Sequence, residues 1–229
     1  MSGAHPDMKA ILFGATGMVG QGVLRECLVD ASVTEVLAVG RSPTGTQHAK
    51  LHEILHDNFT DFSAIESQLT GYDACFFCLG VSSAGMTEAD YRRITFDLTL
   101  ATARLLARLS PAMTFTYVSG QGTDATAKGR VMWARVKGET ENALLALPFR
   151  AVMFRPGYIQ PLHGITSKTG LYRALYAVLS PLFPVLDALA PGAVTTTERL
   201  GRAMLAVARR GSPKPVLETS DINRVVAGG

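Results

Sequence analysis

The sequence predicts an α/β fold: a doubly wound, mostly parallel sheet of about seven strands with helices on both faces. Three observations predict it. Short apolar runs alternate with stretches of helical period from Lys9 to about Thr219, the order that builds strand, helix, strand units. The strand-like runs are apolar throughout rather than at every second residue, as in a sheet covered on both sides. Glycine and proline mark the joints between runs.

The first strand is read at Lys9 to Phe13. The helix after it buries Val19, Val23, Leu24, Cys27 and Leu28, spaced three and four apart, and leaves Gln21, Arg25 and Glu26 to water. Further strands are expected at Glu35 to Val39, Ile54 to Asp57, Ala74 to Leu79, Thr114 to Ser119, Ala151 to Arg155 and Pro215 to Glu218. Tyr91, Ile94, Leu98, Ala101, Leu105 and Leu109 mark one long helix, and Val136, Ala143, Leu144 and Leu147 mark another. A last helix opens at Thr195-Thr196-Thr197-Glu198, a capping box in which Thr195 and Glu198 satisfy each other's backbone donors. Glycine and proline gather between Arg155 and Gly170. One domain spanning 1–229 is therefore expected: a nucleotide-binding core over 8–155, a helical substrate-covering segment over 156–195, and a final helix and strand over 196–222 completing the core.

Composition narrows the class. A chain of 229 residues, 47% hydrophobic and 18% charged, can bury a sizeable core. Its 22 basic and 19 acidic side chains are interspersed, a net charge of +3 that does not suggest nucleic acid as partner. Three cysteines give no framework of paired bridges, so a cytoplasmic setting is expected. The leader Met1 to Asp7 lacks the basic and apolar run of a signal peptide and reads as a frayed end. Leu171 to Ala190 is mostly apolar, but Pro181, Pro184, Arg173 and Asp187 interrupt it. It reads as a buried helix pair or substrate lid, with membrane-surface contact as the lesser alternative. A homodimer is left open.

Gly14-Ala15-Thr16-Gly17-Met18-Val19-Gly20 follows the first strand and opens the first helix. That context gives the three glycines a purpose: a tight turn, close approach of backbone to a diphosphate, and close packing of helix on strand. The helix N-terminus adds free amides and the positive end of its dipole. The reading is a Rossmann-type dinucleotide site, while the Gly-Lys-Ser/Thr of a nucleotide-kinase loop is missing. Where the second strand ends, an NAD site usually places an acid for the ribose 2′-hydroxyl, yet the sequence reads Gly40-Arg41-Ser42. Arg41 can fork onto a 2′-phosphate and Ser42 can donate to it, so NADP(H) is expected ahead of NAD(H). Asp57 or Asn58 is placed to contact the adenine, and Leu79-Gly80-Val81 to pass beside the cofactor.

At these residues the chain resembles the atypical and extended members of the short-chain dehydrogenase/reductase superfamily, the epimerase/dehydratase-like group, over most of its length. Its nearest likeness there is to the Tat-interacting oxidoreductase-like proteins. The resemblance implies a serine after the fifth strand that polarises a substrate carbonyl, at Ser119. It also implies a lysine that binds the nicotinamide ribose, at Lys137, and a tyrosine four residues before it that exchanges the proton. That tyrosine position holds Trp133, whose indole N–H only donates and does not titrate near neutral pH. A family asparagine falls on Thr95, a second departure. Arg155-Pro156-Gly157-Tyr158 matches the loop that passes the nicotinamide, so Pro156, Gly157 and Tyr158 are expected to touch cofactor. Tyr158 or His163 is the candidate substitute acid. The resemblance implies an NADP(H)-dependent oxidoreductase acting on an unidentified carbonyl or alcohol, with Ser119 orienting it, Lys137 on the ribose and Trp133 over the ring. Alternatives are an NADPH-sensing binding protein and a cofactor-assisted epimerase or dehydratase.

Other candidates are set aside. Cys75 and Cys78 lie in a strand and point to opposite faces, which suits packing and not metal. His48, His52 and His56 would share a face only on an unbroken helix, and His56 is read as opening the third strand, so no metal site is expected. Lys128, Arg130 and Arg135 read as solvated charges, and Tyr117 as a packing group.

Overall fold

The computed structural model of the chain describes residues 7–166, 180 and 183–228. Seven parallel strands form the main sheet: β1 (Met8–Phe13), β2 (Val33–Gly40), β3 (Leu51–Leu55), β4 (Ala74–Phe77), β5 (Thr114–Val118), β6 (Arg150–Arg155) and, entering from the far end of the chain, Val216–Glu218. The last is numbered β9, after two short strands, β7 (Tyr158–Gln160) and β8 (Val194–Thr196), that pair in parallel apart from the main sheet. The strand order is β3-β2-β1-β4-β5-β6-β9. It reverses direction between β1 and β4, and the carboxyl ends there open the crevice where a ligand of such a sheet sits.

Both faces of the sheet are covered. Helix α1 (Met18–Val29) packs on one face with Val23, Leu24 and Cys27 beside Leu12 and Val36. Ile11, Phe13 and Leu37 point the other way, toward Leu100 and Leu106 of α3 (Leu98–Leu109) and Leu144 of α4 (Met132–Leu145). A short helix, α2 (Glu88–Arg92), runs into α3 through a π-helical stretch, Arg93–Asp97. The long helix expected from Tyr91 to Leu109 is therefore real but carries a π turn, a feature often found beside functional sites. Cys75 belongs to one core layer and Cys78 packs against the other, as their spacing on a strand requires.

After α5 (Phe183–Leu189) and β8 come α6 (Thr197–Arg210), β9 and α7 (Thr219–Ala227). Helices α1 and α6 meet through glycine: a Cβ on Gly22 would lie 2.8 Å from the Thr197 carbonyl oxygen, and one on Gly201 3.1 Å from the Gly22 carbonyl oxygen. Much of the apolar stretch from Leu171 to Ala190, with Arg173 and Pro181, lies outside the described residues. Among the described residues no helix is long and apolar enough to cross a membrane.

Three local expectations are corrected. The third strand runs Leu51–Leu55, not Ile54 to Asp57, and His56 follows it rather than opening it. As an edge strand it leaves His52 and Glu53 in solvent, so its apolar signal is thin. Helix α6 is capped by Thr196, whose hydroxyl accepts from the Arg199 amide at 2.9 Å. Thr195 is drawn into β8 opposite Ile159, its hydroxyl donating to Asn223 Oδ1, and Glu198 faces His163. The reciprocal capping box is Glu218 with Asp221, at the start of a helix, α7, that was not expected.

Candidate nucleotide-binding site

The glycine turn takes the shape its sequence requires. Gly14 has a φ of 81°, and a Cβ there would lie 2.7 Å from the Cys78 carbonyl carbon. The left-handed conformation and the close approach both demand glycine. The Gly17 amide donates to the Gly14 carbonyl at 2.9 Å, closing the turn. At Gly20 a Cβ would collide with the Gly14 carbonyl, so this glycine lets α1 seat against the turn. The cap of α1 is Gly17, which offers no side chain to the first amides, and the first turn of α1 holds no acid. The end of α1 thus presents bare N–H groups and an uncompensated dipole to the crevice.

Next to the turn lies a cavity of about 330 Å³. Gly14, Thr16, Arg41, Ser42 and Leu79 line it. Arg41 is exposed and, among the described residues, has no ion-pair partner. Asp57 and Asn58 do not line it. With β3 ending at Leu55, the wall there is Glu53, Ile54, Leu55 and the buried ring of Phe59, and Asn58 turns back to accept from Thr60. Gly80 and Val81 lie past Leu79, exposed to solvent. Glu53 accepts from the Thr44 amide at 2.7 Å and so ties the loop after Ser42 to β3.

A second group of residues gathers where β5, α4 and β6 end. The Lys137 ammonium donates to the Ser119 carbonyl oxygen. Burial lowers its pKa to about 8, with the Glu141 charge opposing the shift. Ser119 is 5% exposed and donates its hydroxyl to Glu141 Oε1 at 2.5 Å, with the Phe154 carbonyl oxygen at 3.2 Å. Glu141, 1% exposed, also receives Arg155 Nε at 3.0 Å and Nη2 at 2.5 Å, and Arg155 Nη1 reaches Glu218 at 3.2 Å. Such a carboxylate holds its neighbours in place because losing its Arg155 partner would strand a buried charge. Glu141 was not singled out in the sequence, although it stands four residues after Lys137, one helical turn along the same face. The Gln121 amide donates to the Pro156 carbonyl oxygen at 2.9 Å, bringing the β5 and β6 loops together. Gly157 is held by its amide on Thr219 Oγ1 at 2.8 Å. Trp133 is half-buried, with its ring against Gly122, where a Cβ would lie 3.5 Å from Cη2.

Each of the two substitute acids has a partner of its own. The Tyr158 hydroxyl donates to Gln160 Oε1 at 2.8 Å, and burial raises its pKa, which weakens it as an acid near neutral pH. His163 pairs with Glu198 at 2.7 Å and lines a cavity with Gln21, Arg25 and His48 that Lys137 does not line.

No family model matches the chain. It is 31% identical to the protein FMP52 of Eremothecium gossypii over 155 residues, 66% of each chain. It is 27% identical to the protein HTATIP2 of Rattus norvegicus over 157 residues, 67% of this chain and 63% of that one. The matched stretch thus spans about two thirds of the length of these relatives. Among solved structures, the Bordetella bronchiseptica enzyme WbmF in complex with NAD+ superposes with a TM-score of 0.65 at 14% identity, covering 97% of this chain and 78% of that one. The short-chain dehydrogenase/reductase YIR035C of Saccharomyces cerevisiae does so at 0.64 and 11% identity, covering 93% and 96%. The sequence is thus similar to the FMP52 and HTATIP2 proteins, and the fold is that of the short-chain dehydrogenase/reductase structures.

Against the pattern that the sequence resemblance implies, three departures stand together. Trp133 holds the tyrosine position, and the Ser119 hydroxyl is spent inside the protein. Thr95, at the asparagine position, lies in the π turn, 6% exposed, with a hydroxyl that has no hydrogen-bond partner among the described residues. Arg135, in the first turn of α4, pairs with Glu88 at 2.6 Å, as a surface charge would. His48, His52 and His56 do not share a helix; His56 Nε2 is 2.7 Å from the Asn58 carbonyl oxygen. Tyr117 is a fully buried packing group, its ring tilted against Phe77. The cytoplasmic setting expected from the cysteine count does not stand, because the FMP52 relatives are named as mitochondrial proteins.

Proposed function

We propose that this chain binds NADP(H) and transfers hydride between it and a small carbonyl or alcohol. The observation that carries the reading is the run of uncapped amides at the start of α1, opening beside a cavity whose rim holds Arg41 and Ser42. The residues present fit the cofactor. A diphosphate needs donors without competing acids, and the Gly20 cradle excludes any side chain from the space between turn and helix. The free guanidinium of Arg41, with no acid at the end of β2, suits a 2′-phosphate better than a bare ribose hydroxyl.

Bound NADPH would supply the hydride. The chain's part is to orient and to hold protons. The β5 and β6 loops form one wall of the reaction space, fastened by Glu141 and Arg155, and Trp133 supplies a flat apolar cover. Lys137 stands where the superfamily places its ribose contact. Its amine, with a pKa of about 8, can gain or lose a proton at Nζ close to neutral pH. A second reading, an NADPH sensor without turnover, is favoured by the Ser119 hydroxyl being tied to Glu141 and by Trp133 in place of a titrating group.

Trp133 is the only tryptophan, so its fluorescence is expected to quench as NADPH binds. Arg41→Ala should weaken NADPH binding by about 10- to 100-fold, the range of a charge-assisted hydrogen bond worth ~1.5–3 kcal/mol, while NADH changes little. Equal losses would remove the preference for NADP(H). A panel of aldehydes and ketones with NADPH then separates the two readings: oxidation of NADPH supports the enzyme, and quenching without oxidation supports the sensor.

A further inference from the structure

The Ser119 hydroxyl has one proton and gives it to Glu141, inside a network that buries both groups. A group so held turns toward a ligand only by giving up its bond to buried Glu141, leaving that carboxylate to Arg155. Two residues along, the same loop carries a different polar side chain. Gln121 is exposed, and its backbone is pinned by its amide on Pro156. Its carboxamide lies over the Cα of Gly157, so close that a Cβ on Gly157 would fall 2.5 Å from Gln121 Oε1. Gly122, its neighbour, has a φ of 84° and takes the Trp133 ring against its Cα. Gln121 therefore sits between the loop after β6 and the tryptophan cover, and no hydrogen bond from its side chain to another described residue competes for it.

We propose that Gln121 is the residue of the β5 loop that contacts the nicotinamide end of the bound cofactor, with its carboxamide hydrogen-bonding there while the Ser119 hydroxyl stays on Glu141. Ser119 is then a positioning residue that anchors the loop through Glu141 and Lys137. The proposal rests on the cofactor reading given above. A carboxamide both donates and accepts, so it can meet the amide of a nicotinamide with either atom. A Cβ at Gly157 would collide first with the Ala193 carbonyl oxygen, so the backbone requires glycine there and the Gln121 oxygen occupies the space this leaves.

The test compares a whole cofactor with half of one. NADPH fills both ends of the site, whereas 2′,5′-ADP reaches only the adenosine cavity. Gln121→Ala should weaken NADPH about fivefold, the size of one neutral hydrogen bond, and leave 2′,5′-ADP unchanged. Arg41→Ala should weaken both. Ser119→Ala should lower the thermal midpoint without that selective loss of NADPH. If Gln121→Ala changes neither ligand, or weakens both equally, the proposal is overturned while the cofactor reading stands. If the unaltered protein binds neither probe, the cofactor reading fails and the proposal falls with it. Glutamine-selective side-chain amide NMR gives an independent readout. On NADPH addition the Gln121 signal should move, whereas 2′,5′-ADP should move only Gln21, whose amide already donates to the Thr16 carbonyl oxygen in the phosphate turn.

Discussion

Lys137 shows how a single residue acquires its chemistry from packing. Its ammonium is taken from water and given one carbonyl oxygen and the charge of Glu141, and the desolvation wins, so its pKa drops from 10.5 to about 8. The consequence for stability has a definite sign. Below pH 8 the amine is charged in both folded and unfolded chains, and the cost of burying that charge opposes folding. Between pH 8 and 10.5 the unfolded chain keeps a proton that the folded chain has released, so stability from this group rises with pH. A carbon-13 NMR titration of the Lys137 Cε signal should give a midpoint near 8, and Lys137→Met should flatten the stability curve across that window. A midpoint near the ordinary lysine value would contradict the burial argument. Residue types alone could not show this, since the sequence names Lys137 but not its surroundings. Ser119 was equally legible as a position and illegible as a role, because only folding brings Glu141, Phe154 and Arg155 to its hydroxyl.

At the scale of elements, the sequence is most readable where a helix or strand has one clear environment. The first helix, the fifth strand and the π-interrupted helix were all expected near their observed places, since their apolar periods answer to fixed core layers. β3 was misplaced because an edge strand needs little apolar surface. The cap of α6 was shifted by one residue because Thr195 joins β8, a pairing with a strand 36 residues earlier that no local pattern announces. The contact of α1 with α6 was likewise invisible, though it rests on two glycines. Gly22→Ala gains about 1 kcal/mol of helix propensity, but the new methyl meets the Thr197 side chain at 2.7 Å and backbone at 2.8 Å. Overpacking against backbone costs ~1–3 kcal/mol, so a net loss of stability is expected in urea unfolding. Gly80→Ala, with nothing within 4 Å of the added carbon, serves as the neutral control. A stabilised Gly22→Ala variant would mean the two helices can part at no cost.

Across the whole molecule, the parallel sheet turns a sequence order into a site. Strand order places the β1 turn, the end of β2, and the loops after β4, β5 and β6 along one edge, where residues as distant as Gly14 and Gly157 can face one ligand. That edge was foreseeable from the alternation of strands and helices and from the glycine turn. The cavity wall at Glu53 and Phe59, and the locked Ser119, were not, because they depend on where strands end and on which buried charges find partners. The most direct measurement is a crystal structure of the chain grown with NADP+. The diphosphate should lie against the amides of the Gly17 to Gly20 turn, with the adenosine in the cavity beside Arg41. Density for the diphosphate at any other place, or none at saturating cofactor, would contradict the account.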